Sequence, residues 1–407
     1  MKHSPKALLI ATMDTKGSEA LYMKSCLEAA GVTVMLMDAG IRGESPVPVD
    51  IDRIQVAQAG GKPMEAVRTI GHEGKALAVM AEGAVKIASK LYRQGRFHGV
   101  IGLGGSMGTT LGTAVMRALP VGVPKTMIST MASRDTRAFV GTKDILMLHS
   151  VCDLSGLNRV TRGILKNGAA ALAGMLNYVA SEKTVETHLV FISTLGTTEA
   201  CAQQIRKSLE AKGREVVIFH TVGSGGKAME EMLAQEKVTA LVDLSLHEIA
   251  DHHFGGDYDA GPDRGKAALR HGIPTILVPG NIDFLVSGPL EAARPRFPHR
   301  PYHVHNAAIT VFRTSREELK TLGKIIADIC NPAEGPLTIL IPMGGFSAFD
   351  AKDGPLHDPE GPKWFADALR QHLDEKIKLD LLPYDINDPE FAGAVIEVLA
   401  RMEKNDV

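Results

Sequence analysis

The sequence predicts an α/β protein built from two doubly wound, mainly parallel Rossmann-like domains. Three observations predict it. Short, continuous apolar runs alternate with amphipathic helical stretches, several runs end in loops rich in Gly, Ser and Thr, and the whole pattern restarts near residue 189. In the first half the strand-like runs are 7–11, 33–37, 99–103, 125–129 and 145–149. Helical periodicity fills 19–30, 66–92, 109–118 and 157–179.

The second half echoes the first. Leu8-Leu9-Ile10-Ala11-Thr12, with Glu19 and a helix closing at Ala30-Gly31, is matched by Leu189-Val190-Phe191-Ile192-Ser193-Thr194. There Glu199 follows, and a helix closes at Lys212-Gly213. Each copy runs on into a new strand, at 32–36 and at 215–219. The runs 99–103 and 123–129 have counterparts at 240–244 and 273–279. A weak internal repeat of this kind relates two domains, 1–182 and 183–407, joined at the polar segment Ser181-Glu182-Lys183-Thr184. A late strand at 337–341 and a helix at 363–373 complete the second sheet.

With 407 residues, 44% hydrophobic, the chain has material for two cores. Its formal charge of −2 supplies no basic field for nucleic acid or an anionic membrane. No apolar run approaches the roughly 20 residues of a membrane helix, and the first residues lead into a strand without a signal-peptide core. The expected location is the cytoplasm. Cys26, Cys152, Cys201 and Cys330 are scattered without a CxxC pair, which suits core thiols better than a disulfide frame or zinc site.

In open parallel sheets ligands sit beyond the carboxyl ends of the strands, so the loops there carry the chemistry. The first, Thr12-Met13-Asp14-Thr15-Lys16-Gly17, sets hydroxyls, a carboxylate and an ammonium beside a helix start. Lys16 can neutralise a phosphate and Asp14 can hold magnesium, although Asp14 or Thr15 could equally serve as a helix cap. The second, Gly102-Leu103-Gly104-Gly105-Ser106-Met107-Gly108-Thr109-Thr110, joins a strand to a helix. Its glycines let a phosphate approach backbone N–H groups, with Ser106 and Thr109 adding hydroxyls. It is neither the dinucleotide fingerprint nor a P-loop, but Gly104–Gly108 does match G-x-S-x-G, the nucleophile elbow of α/β hydrolases. That alternative would draw its acid and base from Asp243 and His247.

Ser129 and Thr130, with Arg134 and Lys143 nearby, extend the polar set. Asp153 and Asn158 stand before a long helix, where capping alone would also explain them. In the second half, His220-Thr221-Val222-Gly223-Ser224-Gly225-Gly226-Lys227 is another glycine loop. His247-Glu248-x-x-Asp251 lacks the second histidine of a zincin helix. His303, His305 and the run Met343-Gly344-Gly345-Phe346-Ser347 could line a second pocket.

Taken together, several segments resemble a known family. They are Thr-x-Asp-Thr-Lys-Gly at 12–17, Gly-Gly-Ser-x-Gly-Thr at 104–109, Ala118-Leu119-Pro120-Val121-Gly122-Val123-Pro124-Lys125, His-Ser-Val-x-Asp at 149–153, and Gly156-Leu157-Asn158-Arg159. The family is that of microbial proteins similar to the ATP-binding N-terminal domain of the tomato mosaic virus resistance protein, the Tm-one-like family. Departures occur at Met107, at Val286-Ser287-Gly288-Pro289 and near Gly344. The resemblance implies two Rossmann-like subdomains, nucleotide binding in the first, and a homodimer. It places phosphate contacts at Thr12, Asp14, Thr15, Lys16, Gly104, Gly105, Ser106, Gly108 and Thr109.

The expectation is therefore an ATP-binding protein, with magnesium held by Asp14 and Asp153 and with Ser129, Thr130, Asp153 and Asn158 completing the cofactor set. If ATP is turned over, by phosphoryl transfer or hydrolysis, a small-molecule substrate would lie between the domains. The catalytic candidates are then Asp14, Lys16, Asp153, His247 and Glu248. The alternatives are a nucleotide-responsive binding protein without catalysis and a serine hydrolase using Ser106.

Overall fold

The computed structural model describes residues 4–179 and 188–405. The joint expected at 181–184 lies outside the described residues. The chain divides into two compact units, Met1–Thr184 and Val185–Val407.

The first unit holds strands β1 (Lys6–Ala11), β2 (Thr33–Asp38), β3 (Gly99–Gly104), β4 (Lys125–Ser129) and β5 (Leu146–His149). They form one parallel sheet in the order β2-β1-β3-β4-β5. Alternate residues of β1 serve opposite faces, as a pleated strand requires. Leu8 and Ile10 join the core made with the helices Glu73–Arg93 and Ser106–Arg117. Ala7, Leu9 and Ala11 join the core made with Met13–Ala29 and Arg159–Val179. A strand buried on both faces reads as an unbroken apolar run, which is why these strands were visible in the sequence.

Two helices differ from expectation. The first begins at Met13, not near residue 19, so the supposed loop 12–17 is mostly the first turns of the helix. Thr12 is extended and opens it, and Lys16 breaks its regularity with φ −127° and ψ 20°. The single helix expected over 66–92 is two, Met64–Arg68 and Glu73–Arg93. Gly71 turns with φ +69°, and the His72 imidazole restarts the helix by accepting the Lys75 amide at 3.3 Å. A cap and a left-handed glycine outrank continuous periodicity here.

The second unit contains β6 (Leu189–Thr194), β7 (Glu215–His220), β8 (Val238–Ser245), β9 (Thr275–Gly280), β10 (Phe284–Ser287), β11 (Tyr302–Asn306), β12 (Ile309–Arg313), β13 (Leu337–Pro342) and β14 (Lys378–Leu382). Six strands make a parallel sheet in the order β14-β13-β9-β8-β6-β7. The other three form an antiparallel sheet, β10-β12-β11, that the sequence did not announce. The two parallel sheets share the start of their strand order. That order is common to doubly wound sheets and is not by itself evidence of an internal repeat.

A buried ionic cluster ties the second unit together. The Arg264 side chain, 1% exposed, donates two bonds of 2.7 Å to the Asp243 carboxylate, one of 2.8 Å to Glu248, and one of 2.9 Å to the Ser245 carbonyl. Glu230 lies 3.4 Å away. Burial opposes the Arg264 charge, but Asp243, Glu248 and Glu230 outweigh it and hold the guanidinium protonated well above its usual range. Burial pushes Glu248 and Glu230 upward against the opposing pull of Arg264. Replacing one member of such a group strands the others without water. Arg264→Met is expected to destabilise the second unit by about 3–5 kcal/mol, read as a lowered thermal midpoint and faster amide exchange along β8. An unchanged midpoint would deny Arg264 this role.

Candidate functional site

In the first sheet the chain leaves β1 toward β2 on one side and returns as β3 on the other. The helices that follow β1 and β3 therefore cover opposite faces, and their amino ends part at the carboxyl edge. A cavity of about 670 Å³ opens there, lined from both sides by Thr12, Thr15, Lys16, Gly105 and Ser106 among others.

The glycines of the β3 loop have different reasons. A Cβ on Gly104 would lie 2.8 Å from the Gly108 Cα, and one on Gly108 would lie 2.9 Å from the Leu103 oxygen. Those two permit strand and helix to approach. Gly105 meets nothing nearer than the Thr130 hydroxyl at 3.8 Å, so it leaves space over the helix start. Gly105 supplies no side-chain cap, and the first amides of the helix Ser106–Arg117 have no carbonyl one turn back to bond. Ser106 is exposed at its first position.

Thr109 and Ser129 are fully buried and face each other at 2.6 Å; the Thr109 hydroxyl donates to the Gly105 carbonyl at 2.7 Å and Ser129 Oγ accepts the Met131 amide at 2.9 Å. They brace the glycine loop from behind. Thr130 donates its amide to the Gly104 carbonyl at 3.3 Å and does not line the cavity.

On the other wall, the Thr12 and Thr15 hydroxyls lie 2.9 Å apart, and the Lys16 ammonium donates to the Leu154 carbonyl. Asp14 Oδ2 accepts the amides of Arg42 and Gly43 at 3.0 and 3.1 Å; its Oδ1 is buried and makes no hydrogen bond. Asp38 Oδ1 accepts the Met13 and Gly40 amides at 3.0 and 2.8 Å, and burial lifts its carboxyl above the usual range against those bonds. Asp153 is exposed and lines no part of the cavity. Asn158 caps the helix Arg159–Val179, its Oδ1 accepting the amides of Val160 and Thr161 at 2.9 and 3.0 Å.

Sequence reasoning missed a third wall. Ile41, Val67, Ala76 and Leu77 give it an apolar surface, and Arg42, Arg68, His72 and Glu73 rim it. Arg42 pairs with Glu73 at 2.6 Å, and Arg68 donates to the Ile41 carbonyl at 3.1 Å. Val67, Arg68, His72 and Glu73 flank the helix break at Gly71, the local signal that could have exposed them, while Ile41 and Arg42 follow β2.

The second-half candidates are engaged internally. Glu248 Oε1 accepts the amides of Gly223 and Gly226 at 2.6 and 3.0 Å, so the second glycine loop already holds a carboxylate. A Cβ on Gly226 would come within 1.8 Å of Glu248 Oε2. His247 is fully buried, with Nδ1 2.9 Å from the Asn281 carbonyl and Nε2 3.2 Å from Asp251 Oδ2. Burial disfavours its charged form, yet Asp251, the Asn281 carbonyl and Glu248 together outweigh that and raise its pKa. Among the described residues no group of three or more His, Cys, Asp or Glu side chains could hold a metal. No helix among them is long and apolar enough to cross a membrane.

Models of the N- and C-terminal domains of an uncharacterised protein family, UPF0261, match residues 5–181 and 187–403. A UPF0261 protein of Clostridium tetani is 37% identical over 398 residues, covering 98% of both chains. The tomato ToMV resistance protein Tm-1(GCR237) is 31% identical over 97% of this chain, which spans 55% of that protein. A solved UDP-N-acetylglucosamine 2-epimerase from Rickettsia bellii aligns over 99% of this chain and 97% of its own at 10% identity. Its TM-score is 0.24, and it carries no argument about function.

Asp14 organises the loop at 42–43 as well as facing the cavity. Asp14→Ala is expected to cost about 1 kcal/mol through the two hydrogen bonds it removes from a partly exposed loop. The measurement is hydrogen exchange, with Arg42 and Gly43 accelerated ahead of the β1 core.

Proposed function

The chain belongs to the UPF0261 family, and on that premise we propose that its N-terminal unit binds ATP, with the phosphates at the β1 and β3 loops. One observation carries the proposal. A bare helix start behind Gly105 and the residues Ser106, Thr12, Thr15 and Lys16 line a single cavity at the reversal of strand order. Backbone amides and a lysine are the donors a polyphosphate needs. The apolar wall of Ile41, Val67, Ala76 and Leu77 suits a flat base, with Arg42 and Arg68 at its rim.

Magnesium fits the same end. Asp14 lines the cavity and its Oδ1 is buried without a hydrogen bond, and magnesium commonly takes one carboxylate together with phosphate oxygens and water. When bound it would neutralise phosphate charge; the chain's own part is to orient Asp14 through the Arg42 and Gly43 amides. Asp153, exposed and outside the lining, is the weaker of the two metal candidates.

Binding is better supported than turnover. Asp243 is committed to Arg264 and Ser193, and His247 to Asp251 and Asn281. That commitment also counts against a hydrolase through Ser106, which makes no side-chain hydrogen bond to a histidine among the described residues.

Calorimetric titration of the full chain with ATP, with and without magnesium, tests the proposal. Lys16→Ala is expected to weaken binding about tenfold to a hundredfold, as for a lost bond between charged groups, and Ser106→Ala about tenfold or less. Absence of binding heat with adenine nucleotides, or affinities indifferent to Lys16, would sink it.

A further inference from the structure

The second unit has a cavity of its own, of about 490 Å³. Its lining brings together four basic side chains, His252, His253, Lys266 and Arg270, with an apolar surface made by Leu269, Ile325 and Ile329. The helices His247–Phe254, Ala267–Arg270 and Arg316–Cys330 supply all of these except Lys266, which stands just before the second helix.

The backbone that carries the basic groups is fixed. Arg264 is pinned to Asp243 and Glu248, and Glu230 accepts the amides of Gly265 at 2.6 Å and Ala267 at 2.8 Å. Lys266 lies between those two amides, so the chain is held on both sides of it. His252 Nδ1 is 2.9 Å from Asp259 Oδ1, which also accepts the Gly261 amide at 2.5 Å. The His253 ring packs across the His252 ring with centroids 5.0 Å apart.

The charges, by contrast, are loosely engaged. Lys266 and Arg270 share Asp263 at 3.7 and 3.9 Å, beyond hydrogen-bond reach, and Asp263 is 76% exposed. Contacts of that kind with a solvated carboxylate contribute little. Burial, followed by the charges of His252 and Lys266, lowers the pKa of His253 against the pull of Asp259. The apolar surface is also unfinished: Ile325 and Ile329 pack against the main core of the unit yet stay partly exposed.

We infer that this cavity binds a small monocarboxylate with an apolar body. Arg270 and Lys266 take the carboxylate, the guanidinium offering the paired N–H groups that suit two carboxylate oxygens. The body covers Leu269, Ile325 and Ile329, and removing their exposed carbon from water favours the complex. A few convergent charges over an apolar surface, in a space of this size, are what a small-molecule site requires. Asp328 also lines the cavity and sets the charge of the ligand, since it repels a phosphate dianion more than a monoanion.

The test uses the full chain labelled with ¹³C at its isoleucine methyl groups, titrated with 4-phenylbutyrate and separately with acetate and inorganic phosphate. Ile325→Val and Ile329→Val assign the two signals. Saturable shifts of both methyls with 4-phenylbutyrate are expected. Lys266→Gln and Arg270→Gln, at side chains 30% and 63% exposed, should each weaken that binding about tenfold or more while leaving the fold intact. Unmoved methyls, affinity indifferent to both substitutions, or acetate or phosphate binding as tightly as 4-phenylbutyrate would overturn the inference.

Discussion

Beside β1 the chain reverses its progress across the sheet, and the N-terminal unit is organised around that reversal. The helices after β1 and β3 must cover opposite faces, so their amino ends splay apart and the carboxyl edge between them stays uncovered. The rest follows as support. Asp38 ties down the Met13 amide, Asp14 gathers Arg42 and Gly43, and the Thr109–Ser129 pair stiffens the glycine loop from behind. These polar contacts hold the cavity lining in place.

The two units treat similar loops in opposite ways. After β3, the helix start is bare and looks onto a cavity. After β7, the amides of Gly223 and Gly226 are already bonded to Glu248, and Arg264 backs that carboxylate. Glycine-rich sequence before a helix signals backbone N–H groups that want an anion. Whether a solute or the chain itself provides the anion depends on a residue some twenty positions away.

That distinction marks the limit of what was legible. Most strands of the two parallel sheets showed as apolar runs, the central ones because both faces are buried; Lys378–Leu382, a partly exposed edge strand, was not foreseen, and the glycine loop after β3 showed by its composition. The antiparallel sheet did not show, since Tyr302–Asn306 is a mainly exposed strand that mixes histidines with apolar residues. The rim at Arg68, His72 and Glu73 was hidden because periodicity ran through Gly71 and masked the break beside it. Asp153 and Asn158 look alike on paper; only the geometry separates an exposed carboxylate from a helix cap. The pairing of Glu248 with the Gly223 loop depends on a tertiary contact that no local pattern encodes.

Glu248 has a consequence in terms of mass action. An anion supplied by solution fills its loop only in proportion to its concentration, and the loop's order then follows the cell's chemistry. A carboxylate carried on the same chain has a high, fixed effective concentration that dilution cannot lower. The loop after β7 is thereby insulated from metabolite levels and stays formed whatever the supply. On the proposed reading, sensitivity to phosphate-bearing solutes falls to the loop after β3, which lacks a tethered occupant.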